Sequence, residues 1–334
     1  MSRAAQLVFG LLISAVCLWL AMHDVRPIEV LRALRQANYV GFAALMVLTV
    51  LGFWLRALRW RWLFSGARPI GLDPLFSATM IGFMANNLLP LRLGEFVRAW
   101  ALGRRTGMSK TTVFATVVVE RVVDMIALIV ILGLALWIHP IAEGSEAGRL
   151  LHRGATALIV AGVAMTALVV VLERRPRLAH RLVRAVTAPL PERWRAGAGA
   201  MLDRFVDGLA LFRDLPRLAW VFLLSFAMFA VVALGLAASL WAFDIAAPWY
   251  AGLVMLVITA IGIMVPAAPG YIGTMNVACK VGLRLFGVGP EQSVPFSWFY
   301  WAGQWLPVTL VGLYFLRREG LSLASLGRVQ DEPA

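Results

Sequence analysis

Long apolar runs separated by short arginine-bearing segments set the rhythm of this chain. Ala4 to Ala21 is apolar behind Arg3, and no small-x-small cleavage signature precedes His23 and Asp24, so it reads as a retained first helix rather than a signal peptide. Tyr39 to Leu55 is a second span, which the sequence predicts to stop at Arg56, Arg59 and Arg61, with Trp60 and Trp62 between them as an interfacial belt. Pro74 to Pro90 is shorter, carries Asn86 and Asn87 and ends at proline, which predicts a half-helix that enters and returns. Thr111 to Trp137 is a long span, and Ala155 to Leu172 returns after a loop of mixed charge. Leu218 to Phe243 and Trp249 to Val265 follow as a helical hairpin around Asp244, then a weakly polar helix to Phe286, and Ser297 to Leu316 closes the series.

The expected fold class is therefore all-α: a polytopic helical membrane protein of about eight hydrophobic elements, two of them broken or re-entrant, with room for an internal repeat. A single integral membrane domain covers 1–320, its halves at about 1–172 and 218–320 joined by a connection at 173–217, with a tail at 321–334. Within the connection, Trp194 to Phe212 reads as an amphipathic stretch on the membrane surface. Loop arginines place the N-terminus, the loops after Arg56, Arg92 and Arg174, and the C-terminus in the cytoplasm. Parity then requires either that the 266–286 region crosses or that one assigned span does not.

Composition strengthens the class and narrows the chemistry. Hydrophobic residues make up 61% of the 334 and charged ones 15%, which excludes an ordinary soluble domain. The net charge of +13 is almost wholly arginine, Lys110 and Lys280 being the only lysines. These cations punctuate apolar runs instead of forming one soluble face, which points to lipid headgroups and topology, with no nucleic-acid partner expected. Cys17 and Cys279 sit in apolar runs, and the four histidines are scattered without the spacing of a metal site, so no metal or cofactor is expected.

The chain interrupts itself twice in related ways, at "LLPLRLGE" and "VPAAPGYIGTMN". Paired proline and glycine interruptions in the two halves of a transporter mark discontinuous helices around a cavity, with Pro90, Gly94, Pro266, Pro269, Gly270 and Gly273 as the break residues. The alternative is two ordinary turns at the membrane surface. Arg92, Glu95 and Arg98 repeat every three residues after the first break, and Asn276, Lys280 and Arg284 every four after the second, so each set shares a helix face. Arginine snorkelling to phosphates is the other reading of Arg92 and Arg98. Glu120, Arg121 and Asp124 lie deep in their span, where ionised groups are untenable against lipid and must find partners. Arg92 and Arg98 are the expected partners of the two carboxylates, leaving Arg121 to pair with Glu95 or meet an anion. A structural salt-bridge network is the competing account.

With these residues in view, the N-x-x-P-L-R-x-G-E core at Asn87 to Glu95, the run from Ser109 to Asp124 and the P-x-x-P-G-x-x-G-T segment at Pro266 to Thr274 resemble the lysylphosphatidylglycerol synthase transmembrane-region family, flippase-like integral membrane proteins. Family members commonly carry an acidic residue where this chain has Asn276. The resemblance implies a bacterial inner-membrane protein that moves or accommodates a lipid, phospholipid or of hopanoid or other isoprenoid type. It also implies a possible partnership with a lipid-synthesising enzyme. The chain ends about eighteen residues after Leu316, without the aminoacyltransferase domain of the synthases, so the chain itself is not expected to be an enzyme. The expected headgroup site comprises Asn86, Asn87, Arg92, Glu95, Arg98, Glu120, Arg121 and Asp124, with Asn276, Lys280 and Arg284 as the facing wall. A scaffold that presents such a lipid to a separate enzyme is the alternative to transport, and an integral-membrane enzyme ranks third for want of a nucleophile-base pair.

Overall fold

Arginine does not end the second apolar run. In the computed structural model, which describes residues 3–64, 70–89, 93–138, 214–264 and 269–323, isolated positions between 153 and 203, and Leu326, the helix continues through Arg56, Arg59 and Arg61 to Leu63. Arginine is a good helix former, and a charge stops a membrane helix only when nothing inside the protein compensates it. The expected stop at Arg56 is thus corrected: Arg59 is fully buried, and only Arg61 of the three is exposed.

The described elements are all helical: α1 (Arg3–Met22), α2 (Pro27–Gln36), α3 (Tyr39–Leu63), α4 (Leu72–Leu88), α5 (Gly94–Thr106), α6 (Lys110–Ile138), α7 (Leu215–Ala242), α8 (Ala251–Met264), a short 3-10 turn at Pro269–Tyr271, α9 (Thr274–Arg284) and α10 (Pro290–Arg318). Helices α3 and α7 are each long and apolar enough to cross a membrane. The 29-residue α6 and α10 have the length, about 43 Å at 1.5 Å per residue. Helix α2, not foreseen from the sequence, starts at a proline and is bent 76° away from α1. The expected Ala155–Leu172 span and Trp194–Phe212 stretch, like Pro90, Arg92 and Pro266, lie outside the continuously described residues.

Contacts at the helix ends give the topology. Arg217 at the start of α7 donates to the carbonyls of Trp62 and Phe64 at the end of α3, and the Asn38 amide ahead of α3 donates to Ala242 O at the end of α7, so the two helices run antiparallel. Asp73 at the start of α4 pairs with Arg105 at the end of α5 and Arg318 at the end of α10, while Arg105 also reaches Glu319. The start of α4, the end of α5 and the end of α10 therefore share one side of the protein. At the opposite side, Lys280 near the end of α9 binds Leu20 O, Ala21 O and Asp24 beside the end of α1.

From these anchors a repeat emerges. A long helix, two short helices folded back on each other across a break, and a second long helix occur as α3–α4–α5–α6 and again as α7–α8–α9–α10. The first unit sends its hairpin in from one side and the second from the other, because α3 and α7 run oppositely. The 14-residue α8, about 21 Å long, returns through α9 to the side it came from. The run assigned from Trp249 to Val265 is therefore half of a re-entrant hairpin and not a crossing, which is the second of the two ways to meet the parity, that one assigned span does not cross.

Small residues and side-chain caps hold each hairpin. A β-carbon on Gly94 would clash with Gly82 O and with Asn86 Oδ1, so α4 and α5 meet backbone to backbone. The Gly94 amide donates to Asn86 Oδ1 at 2.7 Å. In the second hairpin the Gly273 amide donates to Asn276 Oδ1 at 3.1 Å, with Gly273 at φ +88°. Both breaks thus satisfy a freed helix-start amide with an asparagine, as any interruption at membrane depth requires. The breaks also meet: Gly270, at φ +73°, packs beside the Asn87 carbonyl and the Trp305 ring.

Candidate functional site

Where the first hairpin packs against α3 and α6, seven ionisable side chains gather. Glu120 is fully buried, with Arg56 Nη1 and Arg98 Nη2 each 2.8 Å away, Arg121 Nη2 at 2.9 Å and Arg59 Nη2 at 3.3 Å. Asp124, one turn on, accepts from Arg59 at 2.5 Å and Arg56 at 3.1 Å, with Arg121 at 3.4 Å. Arg59 also donates to Ser225 Oγ on α7 at 2.7 Å, and the Arg98 guanidinium lies 3.6 Å above the Trp60 ring. Arg121 reaches toward Glu95 at 3.9 Å, and Glu95 in turn accepts from Asn86 Nδ2 at 3.5 Å.

The buried members, Arg59, Arg98, Glu120 and Asp124, carry a large desolvation cost, offset only by their partners. The geometry of α6 arranges this: Glu120 and Asp124 stand one turn apart on one face, turned to α3, while Arg121 swings to the side. Sequence reasoning anticipated Arg98 with Glu120 and Arg121 near Glu95. It missed Arg56 and Arg59, the principal partners of Asp124, by assigning them to the water interface. Their three-residue spacing on the same helical face was the available signal. Among the described residues four guanidiniums face three carboxylates, so the cluster keeps one positive charge in excess.

Part of this cluster lines a cavity of about 460 Å³ at the centre of the protein. Arg56, Asn86, Asn87, Glu95, Arg121 and Asp124 form its charged end. Trp301, Trp305, Tyr300 and Gln304 of α10, with Gly270 and Tyr271 of the second break, form another wall, and apolar side chains of α3, α6, α7 and α8 complete it. Arg59, Arg98 and Glu120 stand behind the lining and hold it. The site is amphipathic: guanidiniums that can bind an anion bidentately sit within reach of an apolar channel. Among the described residues no group of His, Cys, Asp and Glu is placed to hold a metal ion.

The expected facing wall is corrected. Asn276, Lys280 and Arg284 do not line the cavity. Asn276 is buried and spent on Gly273 N and on Ser297 Oγ of α10, at 2.8 Å. Lys280 serves the α1 end and Arg284 is exposed at the end of α9. The four-residue polar spacing marks a face toward α1 and α10, because polar side chains on a membrane helix satisfy buried backbone as readily as a ligand. The cavity is met instead by Gly270, Tyr271 and Met275. Of the break residues, Pro269 opens the 3-10 turn and Gly94, Gly270 and Gly273 sit at the points of closest backbone approach.

Comparison with known proteins places the chain among membrane proteins. The model of the family described as "Lysylphosphatidylglycerol synthase TM region" matches residues 7–312. The chain is 31% identical over 143 residues to a protein named Glycosyltransferase AglD from Haloferax volcanii, covering 40% of this chain and 22% of that one. It is likewise 31% identical over 138 residues to a protein named UPF0104 membrane protein from Methanothermobacter thermautotrophicus, covering 38% of this chain and 40% of that one. The match thus spans less than half the length of either relative. No solved structure matches.

Proposed function

The chain belongs to the lysylphosphatidylglycerol synthase transmembrane-region family, and on that footing we propose that this membrane protein moves a lipid headgroup through its central cavity. The cargo headgroup is anionic. Arg56 and Arg121 bind its phosphate, Glu95 and Asp124 orient those arginines, and the hydrocarbon tail stays along the apolar wall or in the bilayer. A headgroup needs this path because bare hydrocarbon would strip its hydration.

One observation carries the reading: the cavity lies where two oppositely entering hairpins meet, and the cluster at and behind its polar end sets four guanidiniums against three carboxylates among the described residues. Oppositely oriented units around a central site are the architecture through which rocking exposes a site to each face in turn. The arginine-rich side holding Arg61, Arg104, Arg105, Arg317 and Arg318 is cytoplasmic in this account, with both termini there and the protein in a bacterial inner membrane. The protein is not itself an enzyme, and a separate lipid-synthesising enzyme supplies or uses its cargo.

Reconstitution tests this. Vesicles holding the purified protein and a fluorescent phosphatidylglycerol should lose outer-leaflet-accessible label biphasically, as inner-leaflet lipid is carried across. The rate of protein-free vesicles for every anionic lipid, together with retained lipid binding, would favour the scaffold reading in its place. Converted lipid in the extract would favour an enzyme.

A further inference from the structure

Helix α10 runs without interruption from Pro290 to Arg318, although Pro295 and Pro307 stand inside it. A proline within a helix has no amide to give the carbonyl four residues earlier, and its ring crowds that carbonyl. Pro295 falls near the helix start and frees the carbonyl of Glu291, an exposed residue. Pro307 is buried in the middle and frees the carbonyl of Gly303. Thr49 of α3 reaches that carbonyl only at 3.5 Å, because its hydroxyl proton is spent on Leu45 O at 2.8 Å. Gly303 brings no side chain to brace the turn, and a β-carbon there would run into Leu45. A missing ladder bond, a glycine and a thinly compensated carbonyl thus coincide at the Gly303–Pro307 segment, the combination at which helices bend.

The attachments of α10 divide at the same point. Before it, Ser297 Oγ accepts from Asn276 Nδ2 at 2.8 Å and Trp301 Nε1 donates to Gly270 O at 2.7 Å, both partners in the second hairpin and its break. After it, Thr309 Oγ1 accepts from Asn87 Nδ2 at 3.0 Å, Gly312 packs on Met84, and Arg318 pairs with Asp73 at 2.8 Å, all partners in the first hairpin. Apolar packing splits likewise. Phe296, Phe299 and Tyr300 belong to a core built with α8 and α9, whereas Val308, Phe315 and Leu316 belong to one built with α4 and α5. Trp305, inside the segment, meets both halves: its ring packs beside Gly270, and its carbonyl lies 3.5 Å from Asn87 Nδ2. The cavity wall straddles the segment too, with Tyr300 and Trp301 before it, Gln304 and Trp305 within it and Val308 after it.

We propose that the Gly303–Pro307 segment is the joint about which the two hairpin-bearing halves of the protein bend, opening and closing the central cavity. The inference rests on the transport reading for its purpose and deepens it, by naming the element whose change of angle exposes the site to each face in turn. In a rigid wall the missing bond would be a cost without return.

Two measurements on the full chain test the joint. Hydrogen–deuterium exchange of the wild type should be at least about tenfold faster over 303–308 than over 310–316 of the same helix, and Pro307→Ala, which restores the amide in the same surroundings, should remove most of the difference. In the phosphatidylglycerol vesicles of the transport assay, Pro307→Ala should slow lipid crossing at least about tenfold with retained lipid unchanged. Pro307→Gly restores the amide but keeps the backbone pliable, and its crossing rate should stay within about threefold of the wild type. Uniform exchange along wild-type α10 overturns the joint without recourse to any variant, and so does fast exchange that Pro307→Ala leaves unchanged. Unaltered crossing in Pro307→Ala, despite slowed exchange, overturns the proposal and leaves the transport reading intact. Equal loss of retained lipid in both variants makes Pro307 a structural residue and overturns it as well. Wild-type vesicles without accelerated crossing, but with the expected exchange pattern, overturn the transport reading and support the joint.

Discussion

Replacing Glu120 by glutamine removes one charge from the centre of the cluster with almost no change in shape. Four guanidinium groups lie within 3.3 Å of the Glu120 carboxylate, whose side chain is fully buried. Without it, Arg98 loses its carboxylate partner, and Arg56, Arg59 and Arg121 must share Asp124 and Glu95. Breaking one side of a buried ion pair costs about 3–5 kcal/mol, because the stranded charge keeps its desolvation penalty. Glu120→Gln should therefore lower unfolding free energy by roughly that amount. The assay is the circular-dichroism transition in mixed micelles as the sodium dodecyl sulfate fraction rises. Arg98→Met on the same background removes the stranded cation. The double variant should then be about 1–3 kcal/mol more stable than the summed single losses require. A Glu120→Gln loss below about 1 kcal/mol, the range of exposed pairs, would refute the claim that this carboxylate is dry and held by guanidiniums.

Further outcomes follow from other parts of the molecule. Arg121→Gln, at a side chain 37% exposed to the cavity, should weaken anionic-lipid binding about 10–100-fold, the worth of charge-assisted bonds, and shift stability by no more than about 1 kcal/mol; equal losses in both readouts would make Arg121 structural. Gly94→Ala forces a β-carbon against Gly82 O and should cost at least about 1–3 kcal/mol, whereas Gly133→Ala, with open space around it, should leave the melting temperature unchanged or raised; matching behaviour at the two sites would contradict the tight hairpin. At the α1–α9 clasp, burial opposes ionisation of Asp24, but the Lys280 hydrogen bond and charge outweigh it and hold the carboxyl below its usual range. The clasp is thus complete at neutral pH and is lost as pH falls through that lowered value, beneath the ordinary value of about 3.9. Amide exchange at 20–24 should accordingly rise at pH 7 in Asp24→Asn, and unchanged exchange would show that Lys280 needs only the α1 carbonyls.

Much of the fold was legible because hydropathy and breaker residues are local signals. The long α6, the half-helix at α4 and the second interruption could all be read from apolar length, Pro and Gly. What was not legible depends on which neighbour compensates a charge. Arg56 and Arg59 look the same in sequence whether they meet phosphate or the carboxylates of α6, 64 or more positions away. The stripe at Asn276, Lys280 and Arg284 announces a polar face truthfully but does not say that α1 and α10, rather than a cavity, receive it. Nor does periodicity distinguish an α8 that crosses from one that returns, since length and the position of the partner helix decide that. The reversed sense of the two units is visible only through contacts at helix ends.

Lipid retained by the purified protein reports on the central claim, that a cavity backed by a cluster with one guanidinium in excess holds an anionic headgroup, more directly than any transport rate. Native mass spectrometry of the wild type should show a phosphorylated anionic lipid bound well above its share of the membrane extract, and Arg56→Gln/Arg121→Gln should release it. A retained lipid population that mirrors the bulk membrane, or one unchanged by that double substitution, would contradict the account.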